Sequence, residues 1–314
     1  MTTQETIHFE SNGQRCAADL YWPDAAGRVP CVVMAHGGSG TKRLGLPKYA
    51  LKFAARGIAA LVFDYRHFGE SEGEPRQLID VAAQRADYVA AIGCARAQPR
   101  IDPQRIALWG TSLSGGHVLA VAASDPSLAA VVSQVPMIDG LHRGRNLRQR
   151  LDRDVFLRTL QFTAAALRDM VQGRFGLPPY LVPVVAERGR LAVFTEPDAK
   201  VAFDALGGES VGWRNQLAPR FFFALPRYEH GTAERIAMPL LMCLADQDLQ
   251  ASSVFAAQVA ARVSAVDIRH FPCGHFDVYS GAMFERLSEL QAAFLSAHLR
   301  VGSDAAQTGA ATVA

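Results

Sequence analysis

No stretch of the chain is apolar for long enough to span a bilayer, and the opening residues Met1-Thr2-Thr3-Gln4-Glu5 lack the basic and apolar regions of a secretory signal. Charge of one sign is scarce as well. The 32 Lys and Arg nearly balance 30 Asp and Glu, and the net charge of +2 gives no electrostatic reason to expect nucleic acid or an anionic membrane as a partner. Cysteine is sparse and scattered: Cys16, Cys31, Cys94, Cys243 and Cys273 form no C-x-x-C pair, and most sit in apolar runs. Buried free thiols in a reducing cytoplasm are therefore expected. No spaced His/Asp/Glu/Cys cluster suggests a metal site, no cofactor is implied, and no internal repeat is found. These absences together predict a soluble cytoplasmic protein.

What the chain does have is hydrophobic content, 49% of 314 residues, in a regular rhythm. Residues 5–10 and 15–22 alternate around Ser11-Asn12-Gly13, a hairpin signal. Apolar runs at 30–35, 58–63, 106–109, 128–135, 238–245 and 268–271 read as buried strands. Helical patterns fall between them at 46–56, 77–97, 118–123, 251–263 and 282–299. Strands alternating with helices predict an α/β fold, with a mostly parallel central sheet flanked by helices on both faces. The rhythm breaks at Pro136. The expected organisation is a core in two parts, 1–136 and 237–300, interrupted by an inserted, mainly helical cap over 137–236. Residues 301–314 are expected to be a disordered tail.

The chemistry centres on Ile106-Ala-Leu-Trp109 running into Gly110-Thr111-Ser112-Leu113-Ser114-Gly115-Gly116 and then a helix. Strand, tight small-residue turn and helix is the context that projects a serine as a nucleophile at the top of a sheet. Neither serine matches G-x-S-x-G strictly. Ser112 is preferred because Gly110 lies two before it and Ser114, two after, is small. With Ser114 the strand would extend through Gly110, a poor strand residue. The bland reading is a Ser/Gly loop capping a helix.

A serine hydroxyl needs a base and a group to orient that base. His275, in the loop Phe271-Pro272-Cys273-Gly274-His275-Phe276, is the preferred base among nine histidines. The strand ending in Ala245-Asp246-Gln247-Asp248 offers two acids at its carboxyl end. Asp248 is preferred for its freedom to reach across, Asp246 is the rival, and Asp139 is a third possibility. For an oxyanion, the backbone amides of Leu113 and Gly38 are the expected donors. Phe156, Phe162, Phe194, Phe221, Phe222, Phe223, Tyr180 and Tyr228 are candidates for a pocket lining or, more often, cap core. Lys42, Arg43 and the cap arginines are candidates for binding a substrate carboxylate, with a solvated face as the commoner outcome.

The order of these motifs resembles the α/β-hydrolase superfamily, most closely the dienelactone hydrolases and X-prolyl dipeptidyl peptidases. The stretches that carry the likeness are His36-Gly37-Gly38-Ser39-Gly40, Asp64-Tyr65-Arg66-His67-Phe68-Gly69-Glu70-Ser71, Gly110 to His117, Ala245 to Asp248, and Gly274-His275. The likeness covers roughly 15–135 and 237–300 but not the cap. It implies Ser112 as nucleophile, Asp248 as acid, His275 as base, and an oxyanion hole from Gly38 and Leu113. Two positions depart from it: Ser114 stands where the family usually has Gly, and His67 where members often do. The expected function is hydrolysis of a carboxylic ester through an acyl-enzyme, with a small-molecule ester or acyl compound as substrate. An acyltransferase or thioesterase is the alternative. A peptidase, which would want an acidic pair to recognise an amine, and a non-catalytic binding protein are weaker readings. Oligomeric state is not fixed by the sequence, and a homodimer is compatible with it.

Overall fold

The structure, a computed structural model, describes residues 2–142, 144 and 153–301. Residues 302–314 of the expected tail, and residues 143 and 145–152 of the expected cap, lie outside the described residues.

Eight strands form one sheet in the order β1-β2-β4-β3-β5-β6-β7-β8. β1 (Thr3–Ser11) and β2 (Gln14–Trp22) are the predicted hairpin, with Asn12 and Gly13 both at positive φ as a tight Asn-Gly turn requires. β2 pairs antiparallel with β4 (Ala59–Phe63). From there every pairing is parallel, through β3 (Val29–Ala35), β5 (Ile101–Thr111), β6 (Ala130–Gln134), β7 (Leu240–Ala245) and β8 (Val266–Phe271).

The period of two along each central strand feeds two cores. Val32, Met34, Trp109, Val132 and Cys243 face one side, where α1 (Leu46–Ala55) and α7 (Gly281–His298) contribute Tyr49, Phe53, Phe284 and Leu287. Cys31, Val33, Leu108, Val131 and Met242 face the other, packed by α2 (Val81–Ala97), α3 (Leu113–Ala122) and α6 (Ser253–Ala260). Strands with apolar residues on both faces belong to a sheet covered on both sides. Four cysteines are buried and Cys94 is partly so; all five are free.

The predicted helix over 77–97 starts at Val81. Gln77 has φ 62, and the Asp80 side chain caps the first turn by accepting from the Ala83 amide at 3.0 Å. Gln77 instead reaches the segment between β6 and β7, donating from Nε2 to the Gln216 carbonyl at 3.0 Å. Among its described residues that segment contains α4 (Arg153–Arg174), α5 (Pro197–Ala205), three 3₁₀ turns and two isolated bridges, Val182 with Leu217 and Val185 with Phe194. It is tied to the loop after β3 where Trp213 Nε1 donates to the Ser39 carbonyl at 2.7 Å, and closed on itself where the Tyr228 amide donates to Asp139 at 3.1 Å.

Candidate active site

β5 departs from the sequence expectation at both ends: it begins at Ile101 rather than Ile106 and continues past Trp109. The strand does run through Gly110, pairing it with Ala35 and Ser133 before ending at Thr111. Glycine is tolerated there because the next turn folds back on it: a Cβ on Gly110 would stand 2.3 Å from the Ser114 carbonyl oxygen. Ser112 follows the strand directly and takes φ 56, ψ −118, a conformation a non-glycine residue rarely adopts. Its amide donates to the Gln134 carbonyl at 2.9 Å, and its carbonyl accepts from the Met137 amide at 2.9 Å. The turn is thereby pinned to the last residue of β6 and to the chain just after it, with the Ser112 hydroxyl projected from the end of the sheet.

Ser114 has the other fate. It is fully buried; its hydroxyl donates to the His36 carbonyl, and it shares a second bond of 2.7 Å with the Tyr65 hydroxyl. The serine that stands where glycine is usual thus splints the elbow to the loops after β3 and β4.

Three predicted side chains come together. His275 Nε2 lies 3.0 Å from Ser112 Oγ, and His275 Nδ1 lies 2.7 Å from Asp248 Oδ2. The other Asp248 oxygen accepts the amides of Gln250 and Ala251 at 2.7 and 2.8 Å. Both residues of the pair are buried. The rival acids are committed elsewhere. Asp246 pairs at 2.7 Å with the exposed His270, and Asp139 accepts from Leu141, Arg227 and Tyr228.

Gly38 and Leu113 are neighbours: a Cβ placed on Gly38 would lie 3.9 Å from that of Leu113. Among the described residues, neither amide donates to a protein acceptor, so both N–H groups are free to receive an anionic oxygen. The tighter position is Gly37, whose Cβ would stand 3.0 Å from Ser112 Cβ and 3.3 Å from the Thr111 carbonyl. His36 braces this loop. Its Nδ1 lies 2.8 Å from the Gly37 carbonyl, and burial pushes the imidazole down to about 4, which keeps it neutral.

Of the candidate carboxylate binders, Lys42 is corrected, and Arg43 stays half exposed. Lys42 is fully buried, with Nζ 2.6 Å from Asp19 and 2.9 Å from Glu70, and Arg43 pairs with Glu70 at 2.6 Å. Asp64 holds this turn by accepting the Lys42 and Glu70 amides at 2.6 and 2.9 Å, although burial pushes its carboxyl up to about 6. His67 adopts φ 73, which explains why glycine suits its position.

Beside Ser112 and His275 lies a cavity of about 50 Å³, walled by Gly37, Gly38, Leu44, Leu46, Phe194, Phe203, Leu206, Phe276 and Tyr279. Of the aromatic residues expected from the sequence, only Phe194 reaches it. Phe156 and Phe223 are exposed, and Phe162 packs with Phe221 and Phe222. Phe203 and Leu206, at the end of α5, are not among the residues expected there, because nothing in their sequence distinguishes them from helix core. Phe276 carries a usable signal, its place next to His275. A cavity of about 240 Å³ between α2, α3 and residues 227–235 contains none of the converging side chains. Among the described residues, no group of three or more His, Cys, Asp or Glu converges as metal ligands do.

Comparison with known proteins agrees with this architecture. Residues 12–165 match the family described as X-Pro dipeptidyl-peptidase (S15 family). The quorum-quenching protein AidA of Acinetobacter baumannii (strain MDR-ZJ06) is 41% identical over 290 residues, 92% of this chain and 93% of that protein. The thiohydrolase aneE of Aspergillus aculeatus is 32% identical over 224 residues, 70% of this chain and 66% of that one. In three dimensions the chain is similar to the crystal structure of the alpha/beta hydrolase GrgF from Penicillium sp. sh18. The TM-score is 0.75 at 24% identity, covering 95% of this chain and 99% of the other.

Proposed function

Since the chain belongs to the α/β-hydrolase superfamily, among its X-Pro dipeptidyl-peptidase-like members, we propose that it is a serine hydrolase that cleaves small carboxylic esters through an acyl-enzyme. One observation carries the reading: the unbroken run of contacts from Ser112 Oγ through His275 to Asp248, at 3.0 and 2.7 Å. Ser112 Oγ attacks the ester carbonyl while His275 Nε2 takes its proton. The negative oxygen that forms is met by the Gly38 and Leu113 amides. As the tetrahedral centre collapses, the bond to the alcohol breaks and His275 returns the proton to the departing oxygen. Water then gives its proton to the same nitrogen and attacks the acyl carbon; as the bond to Ser112 Oγ breaks, His275 returns that proton to Oγ, freeing the acid and the serine hydroxyl. Asp248 holds the imidazole in the tautomer with hydrogen on Nδ1 and balances its transient charge.

The cavity argues for the substrate's size. At about 50 Å³ it is several-fold smaller than the ~300–1,000 Å³ of sites for drug-sized ligands. Its apolar walls suit a short acyl group. Residues 137–236 act in this reading as the cap, since they supply Phe194, Phe203 and Leu206 to the wall of the cavity beside Ser112. The test is hydrolysis of p-nitrophenyl esters of increasing chain length, with a burst of nitrophenol marking the acyl-enzyme. Acetate and propionate are expected to outrun octanoate; absence of turnover across the series would refute the reading.

A second reading, thioester cleavage or acyl transfer by the same groups, is favoured by the likeness to a protein named a thiohydrolase. Faster turnover of an acyl N-acetylcysteamine thioester than of the matching oxygen ester would select it. Acylated product appearing when an alcohol or amine acceptor is added would select transfer.

A further inference from the structure

Helix α4 (Arg153–Arg174) is apolar on two opposite faces, and the fold accounts for one. Phe162, Ala165, Ala166 and Asp169 turn inward and are buried. Phe162 meets Phe221 and Phe222, and Asp169 accepts from the Tyr180 amide and from the Arg220 guanidinium at 2.8 Å. The outward face carries Phe156, Leu157, Leu160, Leu167, Met170 and Val171, each 45–53% exposed. With Phe175 and Leu177 just beyond the helix, these make up eight of the fourteen exposed large apolar side chains among the described residues. Single exposed leucines need no explanation, but a continuous stripe of this kind marks a contact surface. A helix apolar on all sides is normally buried.

The spacing of the stripe names its occupant. Reflect the helix about the midpoint between Thr163 and Ala164, and Phe156 falls on Val171, Leu157 on Met170, and Leu160 on Leu167. The two small residues fall on each other. A pattern that maps onto itself when the chain direction is reversed fits an antiparallel copy of the same helix, as a two-fold interface requires. Small residues at the centre let the axes approach, while the large ones on either side interdigitate over about 22 Å of helix. Arg153 and Arg174 also map onto each other, but at the ends, where crossed helices diverge and solvent screens the charges.

We propose that two copies of the chain associate through the outward faces of α4, antiparallel about an axis at Thr163 and Ala164. Sedimentation of the full-length protein over a wide concentration range should show a dimer. Leu160→Asp combined with Leu167→Asp should convert it to a monomer with its circular dichroism and ester turnover kept. Pairing direction is read independently in a Cys94→Ser background. A short bismaleimide should join a Leu157→Cys chain to a Met170→Cys chain in a mixture, but should not join Leu157→Cys chains to each other. If the aspartate pair prevents folding, this cross-link decides. A protein that is monomeric at every concentration overturns the proposal, as does a dimer that survives the aspartates. A monomer that sediments with phosphatidylcholine vesicles also overturns it, assigning the stripe to lipid.

Discussion

His275 Nδ1 donates to Asp248 across 2.7 Å, and the same carboxylate is held from its far side by the amides of Gln250 and Ala251. An acid fixed by two backbone donors cannot swing away, so it sets the tautomer and the direction of the ring. Asp248→Asn should lower turnover by about 10⁴ with little change in the fold, the size of loss seen when such an acid loses its charge elsewhere. Asp246→Asn breaks only an exposed pair with His270 and should leave turnover within about twofold. Steady-state kinetics on one ester distinguishes them, and the reverse ranking would contradict the assignment.

The two glycines of the loop after β3 should respond differently. A methyl on Gly37 presses at 3.0 Å on Ser112 Cβ, so Gly37→Ala displaces the elbow and should cost on the order of 10² in kcat/KM. A methyl on Gly38 meets only ordinary contacts, 3.8 Å from Ile79 and Leu113, and leaves its amide in place. Gly38→Ala should therefore retain most activity. Equal losses in both would mean that the Gly38 side, too, is closed to any added atom.

Chain-length preference should follow Leu206. Its side chain forms part of the wall of the small cavity beside Ser112. Leu206→Ala should raise kcat/KM for p-nitrophenyl hexanoate and octanoate relative to acetate. Unchanged ratios across the series would show that the acyl group binds elsewhere.

Stability should fall on mild acidification. Burial holds His36 down to about 4 and His117 to about 3, against 6.5 for an open imidazole. Between pH 6.5 and those values the unfolded chain binds protons that the folded chain refuses, so stability present above 6.5 is lost as pH drops. Asp64 opposes this. Its carboxyl, pushed up to about 6 by burial, takes a proton in the folded state before an open carboxyl at 3.8 does, and favours folding over that span. Two groups against one leave a net loss of a few kcal/mol, since a tenfold change in proton affinity is worth about 1.4 kcal/mol. Urea midpoints at pH 7, 5.5 and 4.5 should decline, and less steeply in His117→Gln. A rising midpoint would contradict the balance.

Much of the site was legible because its chemistry is tied to local patterns. Ser112 follows a strand with glycine two before it, Asp248 follows β7, and His275 sits in a glycine-flanked loop after β8. The mostly parallel, two-sided character of the sheet follows from buried runs alternating with helices. What escaped was set by partners distant in sequence. Gly110 looks wrong in a strand until Ser114 folds over it. Lys42 looks like a surface cation until Asp19 and Glu70 enclose it. Phe203 and Leu206 look like helix core because only the tertiary fold turns them toward Ser112.

The central claim is that the hydroxyl of Ser112, and not that of Ser114, is reactive. A fluorophosphonate probe followed by peptide mass analysis tests it directly. The wild type should carry the label on Ser112, Ser112→Ala should carry none, and Ser114→Ala should still be labelled, with a lower Tm from the loss of its bonds to His36 and Tyr65, a cost of about 1–3 kcal/mol. Label found on Ser114, or persisting in Ser112→Ala, would contradict the account.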